Sequence, residues 1–285
     1  MSKLPIVMNY VTIGHVDITS MAASATAPHL ADWALSHGWD ALTTSEVAEL
    51  LGVPAGQVRV RLRAPSRRGE WISPAKGLWV PVPSQHRGQG GPPAIEYIAA
   101  WMRHLEARYY VGWLSAAAIH GAAHHAPQVF QVACSKTVAD RRIGRSRVEF
   151  YRRSFVTLVP VVPRRVAAGD VPVSSRETTA LDVTAEPDRA AGIDNAANVI
   201  IELAENDGLD IARLAETSRL YPAAAARRVG WILAQHSDVT DLDRLRAVAT
   251  DRSPTPSLLS PHHPRRGRID PNWNICLNTD LEPDV

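Results

Sequence analysis

From His29 onward the apolar positions fall at helical spacing. HLADWALSHG, His29 to Gly38, puts Leu30, Trp33, Ala34 and Leu35 on one face, and Gly38 is placed to end the helix. In TTSEVAELLG, Thr43 to Gly52, the apolar stripe is Val47, Leu50 and Leu51. Thr43 and Glu46 have the spacing at which each side chain accepts from the other's backbone N–H. Only Val53 separates Gly52 from Pro54, and proline is favoured in a first helical turn, where its missing N–H would be unpaired anyway. QVRVRLR, Gln57 to Arg63, alternates apolar and charged residues, which is the period of a half-buried strand. At helical spacing the same residues stack Val58 on Leu62 facing inward and leave Arg59, Val60 and Arg63 opposite, with Gln57 flanking. A strand would need a hairpin partner, and the preceding neighbour is a capped helix, so helix is preferred. Ala64-Pro65 is expected to end it, because proline restricts the residue before it. Glu70-Trp71-Ile72 and Gly77-Leu78-Trp79-Val80 then read as two strands around a turn at Ser73 to Lys76. Three helices and a two-stranded wing predict a winged helix-turn-helix over residues 29–83.

PSQHRGQGGPP, residues 83–93, is rich in Gly, Pro and Gln, which predicts an exposed linker over 84–93. Residues 94–250 form a second block. An amphipathic helix over 95–106 is followed by a strand over 108–113 and a small-residue helix over 114–125 that ends near Gly121. Short strands separated by arginine-rich turns fill 129–174. Ser174 and Glu177 have capping-box spacing at the head of another helix, and three more helices follow over 192–206, 210–220 and 221–236. Strands in the middle and helices at the end predict a larger mixed α+β domain, and the whole chain is α+β. Residues 1–28 read as an N-terminal tail. Residues 251–285, punctuated by proline, read as an irregular C-terminal tail, with Trp273 available to pack it onto a domain. No repeat of 20–50 residues is visible.

Composition narrows the class. A chain of 285 residues with 45% hydrophobic and 21% charged residues is globular. The net charge of +2 carries no global signal for nucleic acid, so any basic surface is local. Two cysteines, Cys134 and Cys276, rule out a disulfide scaffold and point to a reducing compartment. The N-terminal segment is interrupted by Asn9, His15 and Asp17, so no secretory core forms. No run approaches the roughly 18–20 apolar residues of a membrane span. A cytoplasmic location, without membrane attachment, is expected.

Charge placement brings in chemistry. Arg59, Arg61, Arg63, Arg67, Arg68 and Lys76 are opposed between 59 and 76 only by Glu70. Neutralised phosphates supply affinity by counterion release, and arginine can donate twice to one guanine edge. Gln57, Arg59 and Arg63 are the candidate base readers, with Val60 on the same face. Arg67, Arg68 and Lys76 are candidates for phosphate or minor-groove contacts. The plainer alternative is a solvated face in a chain whose basic residues are almost all arginine. In the second block, His120, His124 and His125 are weighed as metal ligands and set aside, since Gly121 breaks the helix and no carboxylate or cysteine completes the set. Asp241-Leu242-Asp243 resembles the paired aspartates of a nucleotidyltransferase, but no Gly-Ser turn precedes it. No lysine stands two residues after a glutamate, as a restriction-type nuclease core would need, and no phosphate-binding or nucleophile-elbow motif occurs. No cofactor is implied. Ser175, Arg176, Glu177, Thr178 and Asp182 form a compact polar set: helix capping with a helix-start ion pair, or a surface for a partner.

TTSEVAELLGVPAGQVRVRL and GEWISPAKGLWVP together resemble the N-terminal winged helix of AbiEi-type antitoxins, of type IV toxin–antitoxin systems. LSAAAIHG, SSRETTALD and RRVGWIL, in that order, resemble that family's second domain. The likeness runs over about residues 30–236. Each motif is loose, and their order along one chain is what is specific. One departure is Pro65, where a leucine is more usual, which bears on the length of the recognition helix. The resemblance implies an antitoxin without catalysis that binds repeats in its own operator as a double-stranded DNA autorepressor. It also implies a nucleotidyltransferase-type toxin as functional partner, often without a stable complex. Gln57, Arg59, Arg63 and Lys76 would then contact the operator, and Ser115, His120, Glu177, Thr178 and Asp182 would belong to the antitoxin domain. Two alternatives stand beside it: a stand-alone regulator whose second domain senses a ligand or oligomerises, and an enzyme with its site around Glu177 and Asp182.

Overall fold

A computed structural model describes residues 29–123, 127–206, 208–251 and 253–283. The expected N-terminal tail, and His124 and His125, lie outside the described residues. The chain divides into two compact units, residues 1–88 and 89–285.

In the first unit α1 (Leu30–Ser36) leads to a short strand β1 (Leu42–Thr43), then α2 (Thr44–Leu51) and α3 (Ala55–Arg61). The capping box forms: the Thr43 N–H donates to Glu46 Oε2 at 2.6 Å, and the Glu46 N–H donates to Thr43 Oγ1 at 3.3 Å. Gly52 ends α2 in the left-handed region at φ 62°, which glycine enters without a Cβ penalty. The alternating stretch is helical, with Val58 and Leu62 fully buried in a core with Leu30, Val47, Leu50 and Trp71.

Three features differ from expectation. The helix does not run on to Ala64. It breaks at Leu62, and a second short helix, α4 (Arg63–Arg67), contains Pro65. The reason is local: Pro65 has no N–H for the Arg61 carbonyl four residues back, so the ladder lapses there. In the first turn of a new helix the same missing N–H costs nothing. Next, the expected two-stranded wing has a third strand. β2 (Trp71–Ile72) and β3 (Leu78–Pro81) pair antiparallel, and β1 joins the far side of β3, giving the order β1-β3-β2. Finally, the expected linker begins as a helix, α5 (Ser84–Arg87), whose Arg87 guanidinium donates to Asp32 of α1 at 2.5 Å and to the Val82 carbonyl at 3.3 Å.

The second unit is built on a six-stranded mixed sheet. After α6 (Ala94–His104) come β4 (Tyr109–Val111), α7 (Trp113–Ile119), β5 (Val129–Cys134), β6 (Arg141–Ile143), β7 (Ser146–Arg152), β8 (Val161–Val166) and β9 (Gly169–Ser174). Their order in the sheet is β6-β7-β5-β4-β9-β8. Two neighbouring pairs are parallel, β5 with β7 and β4 with β9, so the sheet is not a simple meander. The helices α8 (Arg176–Ala185), α9 (Ile193–Asn206), α10 (Ile211–Thr217), α11 (Ala223–His236) and α12 (Asp243–Asp251) complete the core.

The expected irregular tail folds. β10 (Ser257–Leu258), β11 (Arg268–Asp270) and β12 (Ile275–Leu277) make a second small sheet in the order β10-β12-β11. Its anchors are on α11. The guanidinium of Arg228, 5% exposed, donates to the carbonyls of Leu258, Leu259 and Thr184. Arg227 donates to the carbonyls of Ala249, Ser253 and Thr255. Trp273 lies over Gly230, where a Cβ would come within 2.0 Å of its ring.

Candidate functional site

On the first unit, Val58 and Leu62 turn the other face of α3 outward. Gln57, Arg59, Val60 and Arg63 are exposed, and Val60 is 72% exposed, unusual for a large aliphatic side chain. Arg63 heads α4, so the chain bends at Leu62 between the two arginines. Arg67 is exposed in the last turn of α4, and Lys76 is exposed in the β2–β3 turn. Arg68 has a carboxylate partner. Its Nε and its terminal nitrogen donate to the two oxygens of Glu70, at 2.6 and 3.1 Å. That side chain is therefore engaged at the base of the hairpin.

In the second unit the polar residues singled out from the sequence are tied to backbone. Ser115 Oγ donates to the Val129 carbonyl and accepts from the Gln131 N–H, joining α7 to β5. His120 Nε2 donates to the Ser174 carbonyl at 2.7 Å, and burial pushes its pKa down. The cap of α8 is Ser175 and not Ser174: Ser175 Oγ accepts from the Thr178 N–H. Ser174 Oγ is instead paired with Thr179 Oγ1 at 2.7 Å. Glu177 accepts from Ser175 Oγ at 2.7 Å and from the Asp210 N–H at the head of α10 at 3.2 Å. Thr178 Oγ1 donates to the Pro160 carbonyl at 2.9 Å. Pro160 and Asp210 both line an open groove of about 670 Å³, along with Leu158, Arg213, Arg219 and Arg244. Two buried side chains thus hold two walls of one groove.

Asp182 has different partners. It is fully buried, and its Oδ1 accepts from Tyr110 OH at 3.2 Å and Tyr221 OH at 2.8 Å, with the Arg153 guanidinium at 3.4 Å. Burial pushes its pKa up to about 6, against the opposing pull of Arg153. Arg153 also pairs with Glu186 at 2.7 Å and lies over the rings of Trp113, Phe155 and Tyr221. Trp113, itself fully buried, has φ 48°, a left-handed conformation that costs a non-glycine residue about 1–3 kcal/mol. Asp182 Oδ2, Arg153 Nε and Trp113 Nε1 have no hydrogen-bond partner among the described residues. Glu177 and Asp182 share no partner, so they do not form a paired-carboxylate site.

Residues 110–235 match the family model described as the AbiEi antitoxin C-terminal domain. Over that stretch the second unit is similar to the AbiEi antitoxin C-terminal domain. The match spans the sheet from β4, all five residues placed in that domain from the sequence, and α11 with its Arg228 and Gly230. No curated protein matches the chain. Among solved structures, the RV2827C protein from Mycobacterium tuberculosis is similar in fold. The TM-score is 0.63 at 17% sequence identity, over 87% of this chain and 90% of that one. Sequence reading missed the Arg153, Tyr110, Tyr221 and Trp113 cluster around Asp182, which no local spacing links. Among the described residues no group of three or more His, Cys, Asp or Glu is arranged to hold a metal, and no helix is long and apolar enough to cross a membrane.

Proposed function

We propose that the protein is a cytoplasmic DNA-binding autorepressor and antitoxin, without catalysis of its own, that opposes a nucleotidyltransferase-type toxin encoded beside it. The observation that carries the antitoxin half is the AbiEi domain over residues 110–235. The repressor half is supported by the first unit, a helix-turn-helix with a β2–β3 wing that exposes Gln57, Arg59, Val60 and Arg63 together. Gln57 and the two arginines offer donors to base edges, and Val60 offers an apolar contact for a thymine methyl. Arg67 and Lys76 are assigned to phosphates; Arg68 contributes charge while held by Glu70. In the antitoxin domain, Ser115, His120, Glu177, Thr178 and Asp182 are assigned a supporting role. Glu177 and Thr178 act through the groove walls that they hold in place.

The test is fluorescence anisotropy on the protein's own upstream DNA and on scrambled duplex, across a salt series. The Arg59→Ala, Arg63→Ala double variant is expected to lose about 1–3 kcal/mol of preference per base contact while the unit stays folded. Unchanged preference would show that the assigned face does not read the operator. Co-expression with the neighbouring gene product tests the other half, and growth arrest that the protein fails to relieve would remove the antitoxin role.

A further inference from the structure

We infer that the β6–β7 hairpin of the antitoxin domain is a second, sequence-independent contact for duplex DNA, gripping the phosphate backbone. The inference rests on the proposed operator binding of the first unit. RRIGRSR, Arg141 to Arg147, carries four arginines, all exposed, at the outer edge of the six-stranded sheet. The register places Arg142 directly opposite Arg147. Like charges in that position destabilise a strand pair. Arg147 has one offsetting partner, Glu149, at 2.7 Å. The other nearby carboxylate, Asp140, is used in accepting the Phe150 N–H. No ion pair among the described residues neutralises Arg141, Arg142 or Arg145. A strand edge that accepts facing arginines at a cost in stability is suited to an anionic partner, and a regular row of phosphates meets a ribbon of arginines.

A second observation connects the hairpin to DNA rather than to another polyanion. The chain enters the second unit at this turn. The carbonyl of Gln89, the unit's first residue, accepts from the Arg145 N–H at 3.2 Å. Gly90, at φ 81°, and Gly144, at φ 56°, pack backbone to backbone, and a Cβ on Gly90 would lie 2.7 Å from Gly144 Cα. A duplex held by the first unit is tethered covalently to the second, and the second unit's chain starts at this hairpin, so binding by one unit raises the effective concentration of duplex for the other.

The experiment uses the full-length protein with two variant sets on random-sequence and upstream duplexes, followed across a salt series. The first set changes Arg141, Arg142, Arg145 and Arg147 to glutamine. The expected result is a salt slope reduced by about 0.9 per phosphate lost, hence by about 3 to 4 on both duplexes, with the preference for upstream DNA kept. The second set is Arg59→Ala with Arg63→Ala, which removes that preference if the first unit reads the operator. An unchanged slope in the glutamine set overturns the hairpin contact, whatever the second set does. An unchanged preference in the second set overturns only the first unit's base reading. Arg142→Glu separates binding from folding, because an opposite charge now faces Arg147. Its melting temperature is expected to rise while DNA affinity falls; unchanged affinity with a higher melting temperature would also overturn the contact.

Discussion

Asp182 is a carboxyl whose protonation departs from its ordinary behaviour. Its carboxyl is fully buried and its pKa stands at about 6, above its unfolded value near 4. A group raised in this way contributes full stability below its unfolded pKa and loses it as pH rises through the folded one. The loss for two units is about 3 kcal/mol. Urea unfolding of wild type and Asp182→Asn from pH 4 to pH 7 isolates the effect, since the amide does not titrate. The stability of wild type relative to the variant is expected to fall by that amount over this range, and a flat difference would contradict the assignment. Gly112 supplies a second, purely steric prediction. Its φ of −130° suits any residue, but a Cβ there would lie 2.8 Å from Asp182 Oδ2 and 3.0 Å from the Tyr110 ring. Gly112→Ala is expected to destabilise by about 1–3 kcal/mol in the same unfolding experiment.

Between elements, single side chains join helices that the sequence shows only separately. Glu177 lies on α8 and satisfies the N–H of Asp210 at the start of α10. Glu177→Ala would leave that N–H without its partner, at a cost of about 1–3 kcal/mol. Hydrogen exchange is expected to rise first in α10 and the groove it lines; a uniform rise across the unit would show that the bond is not what holds α10. Gly230 performs the equivalent service for the C-terminal sheet. Gly230→Ala drives a methyl into the Trp273 ring and is expected to release residues 253–278 from α11. Trypsin should then cut at Arg265, Arg266 and Arg268 well before the rest of the chain, and an unaltered cleavage pattern would refute that anchor. These links explain why the C-terminal segment read as irregular. Its order comes from carbonyls accepting from Arg227 and Arg228, which no periodicity within residues 251–285 reports.

Across the whole molecule, each unit has its own core, and the two halves of the proposed function are expected to separate with them. A 1–88 fragment should fold and keep the preference for upstream DNA, with a shallower salt slope than the full chain if the β6–β7 hairpin contributes. A fragment that binds with the full-length slope would restrict DNA contact to the first unit. What the sequence determined by itself is the part governed by near neighbours. The Thr43–Glu46 box, the Gly52 stop, the inward Val58 and Leu62 and the outward arginines depend on residues three or four apart, and each formed as read. The order of motifs along the chain also carries the resemblance to the AbiEi antitoxin C-terminal domain that the match over residues 110–235 bears out. Where a local rule met a competing one, the outcome moved slightly: the missing N–H of Pro65 broke the helix at Leu62, and the cap of α8 fell on Ser175 instead of Ser174. Only the tertiary structure decided the third strand at Leu42–Thr43, the parallel pairings of β5 with β7 and β4 with β9, and the partners of Asp182. A two-residue strand has no period of its own and exists because β3 pairs with it. Likewise, Tyr110, Arg153, Asp182 and Tyr221 meet through packing alone, where burial sets the electrostatics that their positions in the chain do not encode.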